Sequence, residues 1–344
     1  MSWSHTATEH SSLDQICEHV LLPIAARIGV CMMYAQVLYC FIACNAVSEL
    51  LCVSHGVSAP HRGSDITLFL LHGMGGRSEQ WIHVIQQLQE NTSWNLVAPD
   101  LIGHGRSSRL PKSAASFQTS SFVDDLEALL QQCGSAHNIL IGHSYGAMLS
   151  TTLAWRQAAN LRSAVAVQNR PIDGLVLVGS PGVKPITGSG PLLHCCDCFL
   201  QCIRPMLSRI SGNMLFHPST DRAFVRQECS ITYQNDWNTI KGLGTYVQWL
   251  QPAQFAQIQT PIMLVCGSDD QVTPLAGTRD LAAALVNVKP SPEVIVVKST
   301  GHNVMMEAPD QVAQAIQQAV AQTLGLKTPD KAASVGVNLN VKAV

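Results

Sequence analysis

The chain has 344 residues, 47% of them hydrophobic and only 13% charged, enough for one large α/β domain with an insertion. Lys and Arg number 21 against 23 Asp and Glu, and the net charge of −2 gives no electrostatic case for a nucleic-acid partner. So few charges suggest that part of the chain lies against lipid. The first element in chain order bears on this. No charged residue falls between Ile28 and Ser48, and a helix of about 20 residues crosses a ~30 Å hydrocarbon core. Gln36 and Asn45 make the span marginal, and the run starts too late after Met1 for a cleaved signal peptide. Residues 1–58 are therefore expected to form a membrane anchor or an in-plane helix. A soluble helix packed on the folded domain, or an artefactual exon, are the alternatives. Arg27 and Arg62 flank the run and leave its orientation open.

The first clear strand is Leu68-Phe69-Leu70-Leu71, which leads into His72-Gly73-Met74-Gly75-Gly76. Such a glycine-rich turn lets a backbone N–H, assigned to Met74, point at a site; the alternative is a plain strand-to-helix turn. A helix around Glu79 to Glu90, a strand over Leu96 to Ala98 and a helix from Phe122 to Cys133 follow. Next, the apolar run Asn138 to Ile141 enters Gly142-His143-Ser144-Tyr145-Gly146, ahead of the helix-forming run Ala147 to Arg156. This is a G-x-S-x-G nucleophile elbow in its required context. The two glycines let a strand turn sharply into a helix, which strains Ser144 and holds its hydroxyl clear of the sheet. The N–H of Tyr145 would join that of Met74 in an oxyanion hole.

After the strand Gly174 to Gly179 the alternation of strands and helices stops, from Val183 to Thr260. That segment carries Phe199, Met206, Leu207, Phe216, Trp237, Tyr246 and Trp249 and is expected to be a helical cap that shapes an apolar pocket. The alternative is a scaffold insertion without substrate contact. The strand Pro261 to Cys266 ends in Asp269 and Asp270, either of which could orient a histidine. Among 13 histidines, His302 is singled out because it follows the last strand, Glu293 to Val297, and completes the order Ser, Asp, His. His143 reads as elbow packing, and His72 and His104 as braces of their loops.

These residues resemble the α/β-hydrolase superfamily, specifically abhydrolase-domain serine hydrolases with an H-G-x-G-G loop and a G-H-S-x-G elbow. The resemblance runs from about Thr67 to Leu324 and includes Ala98-Pro99-Asp100-Leu101-Ile102-Gly103-His104-Gly105-Arg106-Ser107-Ser108 and Met305-Met306-Glu307-Ala308-Pro309. It implies an α/β-hydrolase fold, with a mostly parallel sheet, helices on both faces and a cap insertion. It also implies cleavage of esters, thioesters or amides through an acyl-enzyme, with no metal or organic cofactor. The family spacing G-x-x-D-x-x-x-P, met by Gly267, Asp270 and Pro274, favours Asp270 over Asp269. The organisation expected is an N-terminal segment 1–58, hydrolase core 59–182, cap 183–260, core 261–324 and tail 325–344. The family's opening hairpin is missing or unrecognisable between Ser54 and Ile66: the sheet begins at Leu68, part of the N-terminal segment takes the hairpin's place, or the gene start is mispredicted.

Cys195, Cys196, Cys198 and Cys202 crowd one cap segment, and Cys31, Cys40, Cys44 and Cys52 lie in or beside the apolar run. With no regular disulfide framework, this points to a reducing, cytoplasm-facing compartment, against which the sequon Asn91-Thr92-Ser93 argues weakly. Ordinary buried thiols, acylated cysteines near a membrane, or a zinc site with His194 are the readings of the cap group, and the spacing lacks the pair-and-pair layout of zinc ligands. The expectation is a membrane-associated serine hydrolase acting on a small acyl ester or lipid, with Ser144, Asp270 and His302 as the triad and Met74 and Tyr145 as the oxyanion hole. The alternatives are a carbon–carbon bond hydrolase with the same triad and a non-catalytic scaffold.

Overall fold

The computed structural model describes residues 64–110, 113–163, 170–184, 195–232 and 234–326, together with the strand Cys52–Ser54. The apolar run Ile28 to Ser48, Cys31, Cys40, Cys44 and His194 lie outside the described residues. Among the described residues, no helix is long and apolar enough to cross a membrane.

Among the described residues, seven strands form one sheet in the order β1-β3-β2-β4-β5-β6-β7. They are β1 (Cys52–Ser54), β2 (Ile66–Leu71), β3 (Asn95–Pro99), β4 (His137–His143), β5 (Gly174–Val178), β6 (Ile262–Gly267) and β7 (Glu293–Val297). All neighbours are parallel except β1, which runs antiparallel to β3 and pairs Val53 with Ala98. Of the readings of the missing hairpin, part of the N-terminal segment supplies the edge. β1 lies within residues 1–58, the segment expected to precede the hydrolase core.

The strands are apolar without alternation because both faces of the sheet are covered. Phe69 and Leu71 point into one core with Leu140, Leu175, Leu177 and Leu264. Leu68 and Leu70, one residue out of phase, join Ile139, Ile141, Val176 and Val265 in the other. Helices α1 (Ile82–Asn91) and α10 (Pro309–Leu324) cover the second core. The first is covered by α2 (Thr119–Cys133), α3 (Tyr145–Arg162) and α8 (Leu275–Ala284). A short helix, α9 (Val304–Glu307), lies between β7 and α10.

Among the described residues between β5 and β6 lie the helices α4 (Asp197–Leu215), α5 (Arg222–Thr232), α6 (Trp237–Tyr246) and α7 (Pro252–Phe255). They are fixed to the loops at the carboxyl ends of the strands, where parallel sheets carry their sites. A substituted Cβ on Gly242 of α6 would sit 2.4 Å from the Phe117 ring, which itself stacks on Tyr246. The ion pair between Arg77 and Glu228, 3.0 Å, joins the loop after β2 to α5.

Candidate active site

Ser144 ends the turn from β4 into α3 with φ 51 and ψ −110, a conformation an L-residue adopts only under strain. Its N–H donates to the carbonyl of Val178 at 2.9 Å, and its own carbonyl accepts the first bond of α3 from Met148 at 3.2 Å. The N–H of Tyr145, at the first position of α3, has no acceptor within the helix. The flanking glycines serve by their size and not by their φ. A Cβ on Gly142 would lie 2.5 Å from the Ala147 nitrogen, and one on Gly146 would lie 2.6 Å from the Leu71 carbonyl oxygen. The elbow closes only because two backbone segments touch there.

The loop after β2 is brought to the same place. A Cβ on Gly73 would lie 3.1 Å from the Ser144 Cβ. The loop turns through Gly76 N–H to Gly73 O at 3.0 Å, with Gly75 at φ 73. His72 braces it: the N–H of Leu101 donates to Nε2 at 2.9 Å, so Nδ1 carries the hydrogen and donates to Gly73 O at 2.8 Å. Burial, the largest influence, holds His72 neutral by lowering its pKa. His104 is buried against the His72 ring, centroids 5.2 Å apart, and burial lowers its pKa to about 3. Both histidines sit at loop-bracing positions.

The two aspartates after β6 point in opposite senses. Asp270 is buried with Oδ2 2.9 Å from His302 Nδ1, while the Asp269 side chain is half exposed, with Oδ2 3.8 Å from His217 in the cap. Asp270 Oδ1 accepts N–H bonds from Val272 and Thr273, both 2.8 Å, and its Oδ2 lies 2.7 Å from the Thr273 hydroxyl. Burial opposes ionisation of Asp270, but the hydrogen bonds from His302 and Thr273 outweigh it and hold the carboxyl below its ordinary range. The His302 ring is thereby oriented with Nδ1–H toward the acid, leaving Nε2 for chemistry.

Ser144, His302, Met74 and Tyr145 line one cavity of about 340 Å³. Cap residues Leu215, Ile240, Val247 and Trp249 line it too, with Val272 from the acid loop. Met74 is the partly exposed lip, and the Tyr145 ring is buried with its edge against Phe122, centroids 5.7 Å apart. Among the described residues, no group of three or more His, Cys, Asp or Glu is placed to hold a metal. Cys196 and Cys198 are exposed with their sulfurs 2.9 Å apart, and Asn91, of the sequon, is exposed at the end of α1.

Sequence reasoning missed three partners of this site. Asn235 of the cap donates to Gly75 O at 2.6 Å and accepts from Gly105 N–H at 3.3 Å, joining the two glycine loops. Glu307 accepts from Gly301 N–H and from His217 N–H, both 2.7 Å, so one carboxylate joins the His302 turn to the cap. Thr273 lies against Asp270 and Gly179 O, the latter at 3.0 Å. Glu307 and Thr273 stood inside runs marked in the sequence, before Pro309 and Pro274, whereas Asn235 left no trace.

The described architecture has solved counterparts. An esterase from Exiguobacterium antarcticum superposes with a TM-score of 0.63, covering 80% of this chain and 95% of that one, at 14% identity. The esterase RhEst1 from a Rhodococcus species gives 0.63 over 80% and 95%, at 19% identity. At such identities the likeness speaks for the fold. In sequence, mouse protein ABHD8 is 24% identical over 251 residues, which are 72% of this chain but 54% of that protein, so the chain spans about half the length of that relative. Lipase 1 of Psychrobacter immobilis is 26% identical over 72% of this chain and 74% of its own length. The model of the alpha/beta hydrolase family matches residues 68–315. Because that match runs from β2 into α10, and takes in the elbow, the acid loop and the His302 turn, the chain belongs to the alpha/beta hydrolase family.

Proposed function

We propose that the protein is a serine hydrolase that cleaves carboxylic esters or thioesters, with a lipid-like acyl or alcohol part. The observation that carries this reading is the shared cavity, in which a strained serine and a carboxylate-oriented histidine meet a largely apolar wall. Ser144 Oγ attacks the carbonyl carbon as His302 Nε2 takes its proton, and Asp270 stabilises the imidazolium that results. The N–H groups of Met74 and Tyr145 hold the oxygen that gains charge. Collapse expels the alcohol or thiol, which takes the proton back from His302, and leaves Ser144 acylated. Water, deprotonated by His302, then frees the acid and restores the serine. The similarity to a lipase and to esterases supports an ester bond as the target, and the apolar cap residues support an apolar substituent. The uncharged run Ile28 to Ser48 supports a place at a membrane, and cysteine usage without a regular disulfide framework supports its reducing side.

The test is turnover of p-nitrophenyl esters of graded acyl length. A burst of p-nitrophenol followed by a slower steady rate, absent in Ser144→Ala, is the expected result. Equal turnover by Ser144→Ala would remove Ser144 from the reaction.

A further inference from the structure

The outward face of α4 is apolar where a solvated helix face is normally polar. Phe199, Met206, Ile210 and Met214 recur at helical spacing and are 47%, 54%, 50% and 43% exposed. Cys202, also exposed, lies between the first two. The inward face is already engaged: Leu200 and Gly212 are buried, and a Cβ on Gly212 would lie 2.9 Å from Val225 of α5. The helix is therefore apolar on both sides, and only one side has a partner among the described residues. A contiguous exposed apolar strip of this kind marks a surface that meets protein or lipid.

Charge decides between those partners. From Cys198 to Thr220 the sequence has two arginines and no acidic residue, with Asp197 at the first position of α4 and the exposed Asp221 next to Arg222 bounding that stretch. Arg204 turns inward over the Trp237 ring, 5.5 Å from its centroid. Arg209 is exposed beside the strip, and Arg222, also exposed, bonds Asn213 Oδ1 at 3.1 Å near its far end. Lys241 bonds the Cys195 carbonyl at the near end. An apolar strip with a basic rim matches an anionic lipid surface, where side chains enter the acyl boundary and cations meet headgroups. The last residue of the helix, Leu215, packs inward with Phe216 and Val225 and lines the Ser144 cavity, so the end of α4 next to Met214 reaches the site.

We propose that the outward face of α4, from Phe199 to Met214, docks the cap on an anionic lipid surface. Its use, delivery of a membrane-borne ester to Ser144, rests on the hydrolase reading, whereas the docking itself does not. The contact is also separate from any made by residues 28–48, because it belongs to the folded cap.

The test uses the full chain carrying the photo-crosslinking substitution Ile210→p-benzoylphenylalanine, with vesicles of phosphatidylcholine alone or mixed with phosphatidylserine. The same substitution at Val286, 58% exposed and just after α8, is the control. Docking predicts lipid adducts at position 210 that increase with phosphatidylserine, and at least about tenfold fewer at position 286. Adducts at 210 to a peptide from residues 28–48 or to a second copy of the chain would overturn it. So would equal adducts at both positions, or none. Repeating the experiment in Ser144→Ala separates the two readings, since docking predicts the same adducts in a protein without turnover.

Discussion

His143 donates its Nε2–H to the backbone carbonyl of His302 at 3.0 Å, with the two ring centroids 4.7 Å apart. The residue beside the elbow serine thus fixes the main chain of the histidine that follows the last strand. Its other nitrogen, Nδ1, is buried with no hydrogen-bond partner among the described residues. Protonation would place a charge and an unmet donor there, and burial, followed by the nearby His302, lowers the His143 pKa to about 3.

This predicts acid sensitivity. The His143 and His104 pKa values fall from 6.5 to about 3 on folding, so between those limits the unfolded chain binds more protons than the folded one. Stability is then complete above 6.5 and is lost as pH falls, by roughly 1.4 kcal/mol per pH unit for each histidine. Thermal melting from pH 7 to pH 4 should show a steep fall in Tm, less steep in His104→Gln. A flat profile would mean that these rings are not buried neutral.

The opposed aspartates give a kinetic prediction. Asp270→Asn should lower kcat by about 10⁴, as expected when a histidine loses its orienting acid, with KM little changed. Asp269→Asn, altering a half-exposed carboxylate, should stay within about threefold of the parent. Steady-state kinetics of the two variants decide it, and the reverse ranking would move the acid to Asp269.

Asn235 joins the cap to the loop that bears Met74. Asn235→Ala removes the bonds to Gly75 O and from Gly105 N–H, and should cost about 1–3 kcal/mol of stability. Because Gly75 is the neighbour of Met74, kcat should fall more than binding weakens. Paired denaturation and kinetic measurements would show a stability loss alone if Asn235 merely packs the cap.

Two glycines should respond in opposite directions. Gly146→Ala would drive a methyl to 2.6 Å from the Leu71 carbonyl oxygen, costing about 3 kcal/mol. Gly277, in α8, has room, with the nearest atom at 3.6 Å, so Gly277→Ala should stabilise by about 0.5 kcal/mol through helix propensity. Chemical denaturation of both variants measures the contrast.

The sheet and the elbow were legible in the sequence because their signals are local: five-residue apolar runs buried on both faces, and glycines at fixed offsets from a serine. That Asp270, and not Asp269, faces His302 was to be expected only through family spacing, since adjacent residues of one turn point apart for reasons a composition does not carry. Strand β1 was not legible, because three residues give no periodicity. Nor were Asn235 and Glu228, whose partners Gly75 and Arg77 lie 160 and 151 positions away. Such contacts exist only once the cap has closed on the sheet.

Whether Ser144 acts as a nucleophile activated by His302 is read out by an active-site label. A fluorophosphonate probe should modify the full-length protein once, on the peptide containing Ser144. Labelling should vanish in Ser144→Ala and slow by several orders of magnitude, on the order of 10⁴, in His302→Ala. Undiminished labelling of Ser144→Ala, or a parent protein that takes up no probe while remaining folded, would remove Ser144 as the nucleophile.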